Sequence, residues 1–342
     1  ERQEPSRRMA FARFIAVRLV SSLATLLLIS FIVFSLMELV PGNCAERYIA
    51  YKNTQGQTIT QADITAMEVT MGLDRPFVER WGGWVWGVFA EGDFGASCLI
   101  RADVTTIVGD KFWLSLSLCL GALLLAYLIA VPVGILSARV RGGWSDSILR
   151  LASYLGLALP NFLLALMILL AATVFWKVDL TGLFSAPYRE APWSWDRFVD
   201  MLSHAWVPIV ILGWSATAFA LQTVRALVSD ELDKLYVTAA MARGVTGRRL
   251  LWRYPARHAL GPLVNSVGFD LNRVFNELPI VAVVLILTDA GKLLFDALAR
   301  SNDQELAGAI IFMLTASIVG LNFLTDILLA VIDPRVRKGL FK

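Results

Sequence analysis

Residues 235–262 read LYVTAAMARGVTGRRLLWRYPARHALGP. They contain an alanine-rich run, a glycine and a basic amphipathic segment, whereas most of the chain is apolar. Alanine favours helix, and the run 238–243 breaks at Gly244, where glycine accepts a left-handed backbone that other residues resist. The basic segment then closes at Gly261 and Pro262. The pattern predicts a helix, a turn and a second helix at the cytoplasmic surface of a membrane protein.

The rest of the chain has the composition of an integral membrane protein. Hydrophobic residues make up 57% and charged residues only 17% of its 342 residues, which is outside the usual range of soluble proteins. Five uncharged windows are long enough to cross about 30 Å of hydrocarbon as helices, namely 19–37, 112–138, 151–176, 205–224 and 306–325. A sixth span is predicted at 263–287, because six spans place all of the basic segments on the same side of the membrane. The predicted fold is therefore all-α, with six transmembrane helices.

Arginine and lysine cluster at alternate ends of these spans, as the positive-inside rule requires. The segments that alternate with the basic ones mix acidic and basic residues, so we predict that both termini are cytoplasmic. The first apolar run lacks a small-residue cleavage site and is predicted to be an uncleaved helix rather than a signal peptide. The predicted organisation is a cytoplasmic N-terminus and first span at 1–40, an external segment at 41–111, the remaining spans at 112–332 with a cytoplasmic loop at 228–262, and a cytoplasmic tail at 333–342.

The external segment is predicted to contain helices, because apolar residues recur with helical spacing at 64–71 and 77–89. Cys44 and Cys98 both lie in this segment, where an oxidising compartment allows a bridge. A disulfide between them is one hypothesis, and two free thiols are the alternative. Cys119 lies inside the second span and cannot join them.

The sixth span carries a polar stripe. Asp270, Arg273 and Glu277 are spaced i, i+3 and i+7, with Asn276 beside them, so they share one helical face. An ionised group facing lipid costs about 2.5 to 3.5 kcal/mol, so the stripe is expected to face the bundle or a wet cavity. One hypothesis makes these four residues candidates for lining or gating a translocation pathway. The other is a closed Asp-Arg-Glu network that stabilises helix packing or the contact with a partner subunit.

No motif for catalysis is present. The chain lacks a Walker-type phosphate loop, a Gly-x-Ser-x-Gly elbow and a His-Glu-x-x-His pair. Its two histidines, His204 and His258, fall on opposite sides of the membrane in the predicted topology and cannot share a metal. We predict no catalytic residue, no bound metal and no cofactor on this chain. An ion-coupled carrier stays open as an alternative, although the internal repeat that such carriers often have is not visible.

The loop at 228–262 resembles the segment through which permease subunits of bacterial ABC importers dock on their ATPases. The general pattern of two small residues, a glycine and a closing proline matches Ala239, Ala240, Gly244 and Pro262, whereas Thr238 stands where that pattern has glutamate. The match is closer to permeases of the dipeptide/oligopeptide/nickel type. On this resemblance the candidate coupling residues are Thr238, Ala239, Ala240, Arg243, Gly244, Arg248, Arg249, Leu251 and Pro262.

The resemblance also implies partners and a substrate class. It implies a type I ABC importer permease fold with an external subdomain between the first two helices, in the bacterial inner membrane. The partners would be a second, homologous permease subunit, two ATPase subunits that hold ATP and magnesium, and an external substrate-binding protein, with no nucleic acid. Peptides are the expected solute, with oligosaccharides, opines or another small solute as alternatives. Within the loop, basic residues would attract the ATPase, and Leu250, Leu251 and Trp252 would anchor it.

Overall fold

A computed structural model describes residues 7–56 and 61–332 of the chain. The predicted tail at 333–342 lies outside the described residues. The described part is helical, with one isolated antiparallel bridge between Ala96 and Asp103. Its helices are α1 (Arg7–Leu39), α2 (Cys44–Thr54), α3 (Gln61–Thr70), α4 (Phe77–Trp86), α5 (Val104–Arg139), α6 (Trp144–Ala158), α7 (Asn161–Ala171), α8 (Trp195–Leu232), α9 (Leu235–Ala242), α10 (Gly247–Arg253), α11 (Pro255–Val284), α12 (Ala290–Asp296) and α13 (Gln304–Ile332).

The helices belong to two compact units. Of the described residues, the first unit holds those up to Ala16, Ser115–Thr288 and those from Leu321 onward. The second unit holds the described residues of Val17–Leu114 and Asp289–Gly320. Each unit therefore contains parts of the chain that are far apart in sequence.

The first unit is built on α8 and α11, which pack against each other, with α6 against α8 and α7 against both. Glycines allow the helices to approach closely: a Cβ atom added to Gly134 would lie 2.9 Å from the Cβ of Val224, and one added to Gly156 would lie 2.8 Å from the Cβ of Ala218. Small residues at helix contacts are the usual means of packing inside a bilayer, because lipid supplies no hydrophobic drive between helices.

The predicted span at 151–176 is not one straight helix. α6 ends at Ala158, and α7 begins at Asn161 after a 97° bend. Leu159 and Pro160 are extended, with ψ of 114° and 140°, because proline forces the preceding residue out of the helical region. The prediction of a single span is thus corrected to a broken pair, whose first helix starts earlier, at Trp144.

The second unit contains α2, α3 and α4, which confirm that the segment after the first span holds helices. Trp84 packs edge-on against Phe312, with ring centroids 5.2 Å apart, and its Nε1 donates to the Phe94 carbonyl at 3.1 Å. Cys44 and Cys98 form a disulfide with Cα atoms 5.5 Å apart. The buried carboxylate of Asp303 accepts hydrogen bonds from the backbone N–H groups of Cys98 at 3.2 Å and Leu306 at 3.1 Å. These contacts hold the segment around Cys98 against the start of α13.

Apolar helices long enough to cross a membrane number four among the described residues, and the bent pair α6/α7 makes a fifth. They agree with the five uncharged windows read from the sequence. The sixth predicted span corresponds to α11, whose 30 residues are long enough but whose charged side chains keep it outside that apolar set.

Candidate functional site

The loop that follows α8 folds as a helix, a turn and a second helix, as its sequence predicts. Gly244 has φ of +80° and Gly247 of +66°, a left-handed backbone that costs other residues about 1 to 2 kcal/mol. The amide of Gly244 donates to the Met241 carbonyl at 2.9 Å, and that of Val245 donates to the Ala240 carbonyl at 3.2 Å. Nothing lies within 4 Å of a Cβ added to Gly244, so the requirement there is conformational rather than steric.

The second helix ends earlier than the sequence suggested. α10 stops at Arg253, Tyr254 leaves the helical region, and α11 begins at Pro255. Proline is favoured at a first helical position because its φ is already fixed there and its missing N–H has no partner to lose. The prediction that Pro262 closes the loop is therefore wrong. Pro262 lies exposed within α11.

One side of the loop is anchored in the first unit. Val237 and Ala240 of α9 form a buried cluster with Leu250 of α10. Leu251 joins a different buried cluster, which includes Ile135 of α5 and Val224 of α8. The expectation that Leu250 and Leu251 anchor a partner is therefore wrong, because both side chains are already used inside this chain.

The opposite side of the loop is exposed and basic. Thr238, Ala239, Arg243, Gly244, Arg248 and Arg249 all lie on this exposed side. Three apolar side chains accompany them: Leu235 is 87% exposed, Trp252 46% and Met241 45%. Of the three residues expected to supply apolar anchoring, only Trp252 is available, and Leu235 and Met241 add to it.

A tyrosine fixes the start of α9. The hydroxyl of Tyr236 donates to the Glu231 carboxylate at 2.6 Å, and its ring lies 5.0 Å from that of His258. Burial and the neighbouring carboxylate raise the pKa of Tyr236 above its ordinary value, so the hydroxyl keeps its proton and acts as a donor. Lys234 pairs with the same carboxylate.

Two ion pairs that sequence reasoning missed tie the start of α6 and the turn before it to α8 and to the residue that follows α8. The Arg225 guanidinium donates to both carboxylate oxygens of the fully buried Asp146, at 2.5 and 2.7 Å. Ser137 adds a hydrogen bond to Asp146 at 2.7 Å. The exposed Arg141 donates to both oxygens of Asp233 at 2.7 and 2.6 Å and holds the pKa of that carboxyl below its ordinary value. The one sign of these pairs in the sequence is an aspartate close to a basic turn. The arginines give no sign, because the positive-inside rule already explains their positions.

The polar stripe of α11 divides between the interior and the surface. Asp270 is buried, at 2% exposure, where it accepts hydrogen bonds from Tyr127 of α5 and, at 3.2 Å, from Ser266. Arg273 lies over the Phe219 ring of α8, with its Cζ 4.0 Å from the centroid. Asn276 is exposed and Glu277 half-buried. Among the described residues no ion pair joins Asp270, Arg273 and Glu277, so this chain does not form the closed network considered above.

An asparagine that the sequence analysis did not single out extends the exposed side. Asn272 is exposed, one helical turn before Asn276. Phe269 and Ile280 continue the same exposed side at 61% and 47%. Two amide side chains in the middle of a helix that the sequence predicts to span the membrane do not suit contact with lipid. Helical spacing could have revealed Asn272, because it precedes Asn276 by four residues.

Two pairs of side chains bear on metal binding. Cys44 and Cys98 lie close to the Glu305 carboxylate, but both sulfur atoms belong to the disulfide. His204 and His258 each contact a backbone carbonyl one helical turn earlier, at 2.8 and 2.9 Å. Both histidines thus make local helix contacts of an ordinary kind.

Comparison with known proteins gives matches along nearly the whole chain. Residues 130–338 match the family described as binding-protein-dependent transport system inner membrane component, and residues 11–119 match the N-terminal family of the same membrane components. A Brucella abortus protein with the provisional name peptide transport system permease protein is 27% identical over 327 residues, covering 94% of this chain and 97% of its own. The dipeptide transport system permease protein DppB of Escherichia coli is 25% identical over 343 residues, covering 95% and 98%.

Proposed function

The chain belongs to the family of binding-protein-dependent transport system inner membrane components, and from this membership we propose that it forms the translocation pathway for peptides in an ATP-driven importer. The observation that carries the proposal is the loop at 235–254, which is anchored on one side and exposed on the other. A rigid loop of this kind can pass a partner's movement to the membrane helices. Family membership also disfavours the alternative of a self-contained, ion-coupled carrier.

We propose six spans, formed by α1, α5, the α6/α7 pair, α8, α11 and α13. Six crossings put both termini on one side, and the basic turn at 139–143 and the basic loop at 243–257 place that side in the cytoplasm. Segment 41–111 is then an external subdomain, and its disulfide suits an oxidising compartment.

The exposed side of the coupling loop is the proposed docking surface for an ATPase. Leu235, Met241 and Trp252 provide apolar contact, and the arginines attract an acidic rim, which speeds association more than it adds affinity. Two ATPase subunits, with ATP and magnesium, and a second homologous permease subunit complete the proposed complex. An external binding protein delivers the solute, as the family description implies.

The exposed side of α11 is the proposed wall of the pathway. Asn272 and Asn276 present amide groups, and Arg273 and Glu277 flank them with one charge of each sign. Such groups match the backbone amides and charged ends of a short peptide. Asp270 is reassigned from the pathway to the interior, where Tyr127 and Ser266 hold it.

Peptides are the proposed substrate class because the relatives' names point to them. The Escherichia coli relative is named for dipeptide transport and the Brucella abortus relative for peptide transport. Oligosaccharides, opines or another small solute would use the same machinery with a different binding protein.

The decisive experiment is peptide-stimulated ATP hydrolysis by the complex purified through this chain, with Gly244→Pro as the variant. Proline cannot adopt φ of +80°, and it removes the amide that donates to Met241. Gly261→Ala is the matched control, since this glycine lies in α11 without a positive φ and nothing lies within 4 Å of its added Cβ. We expect co-purified ATPase, stimulation in the wild type and the control, and loss of stimulation in Gly244→Pro.

Absence of any co-purifying ATPase, together with uptake driven by an ion gradient, would overturn the proposal. Stimulation of Gly244→Pro at the wild-type level would remove the coupling role of this loop.

A further inference from the structure

The second unit contains a cavity of about 850 Å³ that the transport machinery described above does not use. It is lined by the end of α1, the start of α2, the end of α3, the turn at 71–75, α4 and Glu305 of α13. Cavities of roughly 300 to 1,000 Å³ are typical of small-molecule sites. The lining is unusual in holding both unsatisfied donors and uncompensated carboxylates.

The donors belong to Arg47. Its side chain is 10% exposed, and its Nη2 pairs with the Glu305 carboxylate at 2.9 Å. The other two nitrogens, Nε and Nη1, are buried and have no hydrogen-bond acceptor in the described part of the chain. Buried donors in folded proteins nearly always have a partner, which is protein, water or a ligand. The adjoining cavity is the space from which such a partner can come.

Carboxylates outnumber guanidinium groups in the lining of this cavity. Five acidic residues and three arginines line the cavity. Two ion pairs, Arg47–Glu305 and Arg80–Glu38, neutralise two of each sign, which leaves three carboxylates and one guanidinium. The groups without an ion pair among residues 7–56 and 61–332 are Glu68, which accepts a hydrogen bond from Asn43, together with Asp74, Glu79 and Arg75.

We propose that this cavity is a second recognition site for the solute, which takes a small zwitterion with its carboxylate on Arg47 and its ammonium group among Glu68, Asp74 and Glu79. An unsatisfied guanidinium N–H group binds a free carboxylate more strongly than it binds a neutral acceptor. A primary ammonium group matches the uncompensated acidic side. A short peptide carries both groups, so the proposal names a substrate-class site on the permease itself and rests on the proposed function.

The test is equilibrium dialysis of labelled alanyl-alanine against the complex of this chain with its partner subunits, in lipid nanodiscs and without the binding protein. Alanyl-alanine amide lacks the carboxylate, and N-acetyl-alanyl-alanine lacks the ammonium group. We expect the amide to bind about tenfold more weakly, the loss that accompanies a charged hydrogen bond. The acetylated peptide is expected to bind about threefold more weakly, because the acidic groups at 74 and 79 are exposed and partly screened.

Two variants and a control locate the binding. Arg47→Lys keeps the charge that faces Glu305 but removes the two unsatisfied nitrogens, Nε and Nη1, so it should weaken the binding of alanyl-alanine about tenfold. Glu79→Gln should weaken it by less than about threefold and reduce the preference over the acetylated peptide, because two of the three carboxylates remain. Glu91→Gln is the control, an exposed acidic residue of the same unit that does not line the cavity.

Binding that falls in Arg47→Lys and Glu79→Gln but not in Glu91→Gln supports the site. No measurable binding of alanyl-alanine, or binding that Arg47→Lys leaves unchanged, overturns it and leaves water as the partner of Arg47. The same preparations are then assayed for ATP hydrolysis stimulated by the loaded binding protein. If ATP hydrolysis is stimulated but alanyl-alanine does not bind in the cavity, only this inference is wrong. If the wild-type complex shows neither peptide binding nor stimulated hydrolysis, the proposed function is wrong as well.

Discussion

At the scale of single residues, Asp146 shows how a buried charge holds together the part of the first unit that precedes the loop at 235–254. Its carboxylate is fully buried and receives Arg225, Ser137 and the Gly142 amide, at 3.1 Å for the last. Arg225 lies on α8, ten residues before α9 begins. The contact therefore fixes the start of α6 to the helix that leads into the proposed coupling loop.

We predict that Asp146→Asn destabilises the complex by about 3 kcal/mol, because it leaves the charge of Arg225, whose side chain is only 20% exposed, without this counter-ion. The double variant Asp146→Leu/Arg225→Met should recover most of that loss, since an apolar pair of similar volume replaces a buried ion pair at little cost. Thermal unfolding of the purified complex measures both.

Arg141→Gln is the control for this prediction. It breaks a pair whose side chains are 47% and 64% exposed, and exposed pairs contribute little because water and salt screen them. Equal unfolding temperatures for Asp146→Asn and Arg141→Gln would contradict the argument.

The sequence indicated some of these residues and not others for a physical reason. Gly244 was predictable because its role is local: only the backbone at that position has to turn. Asp146 was not, because its partner Arg225 is 79 residues away and helical spacing carries no information on such contacts. The same limit applies to Asp270, whose hydrogen-bond donor Tyr127 is 143 residues distant.

At the scale of helices, periodicity and hydropathy predicted where the chain is helical but not how helices end. The α6/α7 break needed only the proline rule, yet hydropathy runs unbroken through it. α10 ends just before Pro255 and not at Pro262. Both prolines follow basic residues, so the sequence does not show which of them marks the end of the helix. Whether Leu251 serves a partner or its own core depends on Ile135 and Val224, which only the fold brings near.

The disulfide segment supplies a prediction at this scale. The bridge closes a loop of 54 residues, for which loss of chain entropy on crosslinking corresponds to about 4 kcal/mol. We predict that Cys44→Ser/Cys98→Ser makes segment 41–103 markedly more sensitive to limited proteolysis in the intact complex. The hydrogen bonds from the backbone of Cys98 and Leu99 to Asp303 and the Arg47–Glu305 pair remain, so cleavage should stay within this segment.

Cys119→Ala is the control, because this buried cysteine does not take part in the disulfide. Non-reducing gels should show a mobility shift on reduction in the wild type and in Cys119→Ala but not in the double serine variant. An identical mobility for reduced and non-reduced wild type would rule out the bridge.

At the scale of the whole molecule, the exposed side of α11 is the strongest sign that the chain works in a larger assembly. An exposed polar face is normal in a soluble protein, but Asn272 and Asn276 lie in the middle of a proposed span. Lipid offers them no hydrogen bonds, so water or protein has to cover them. By contrast α5 exposes Leu124 and Leu128, at 62% and 64%, which suit lipid.

This difference gives a prediction for the assembled complex. In a background with Cys119→Ala, a cysteine introduced by Asn276→Cys should react with a membrane-impermeant maleimide, and the rate should change when ATP and peptide are added. Leu124→Cys should stay unreactive under all conditions, because a thiol facing hydrocarbon is neither ionised nor reached by a charged reagent. If 276 is unreactive but crosslinks to the second permease subunit, this side of α11 is an interface between subunits rather than a wall of the pathway, and the peptide path has to run along another helix.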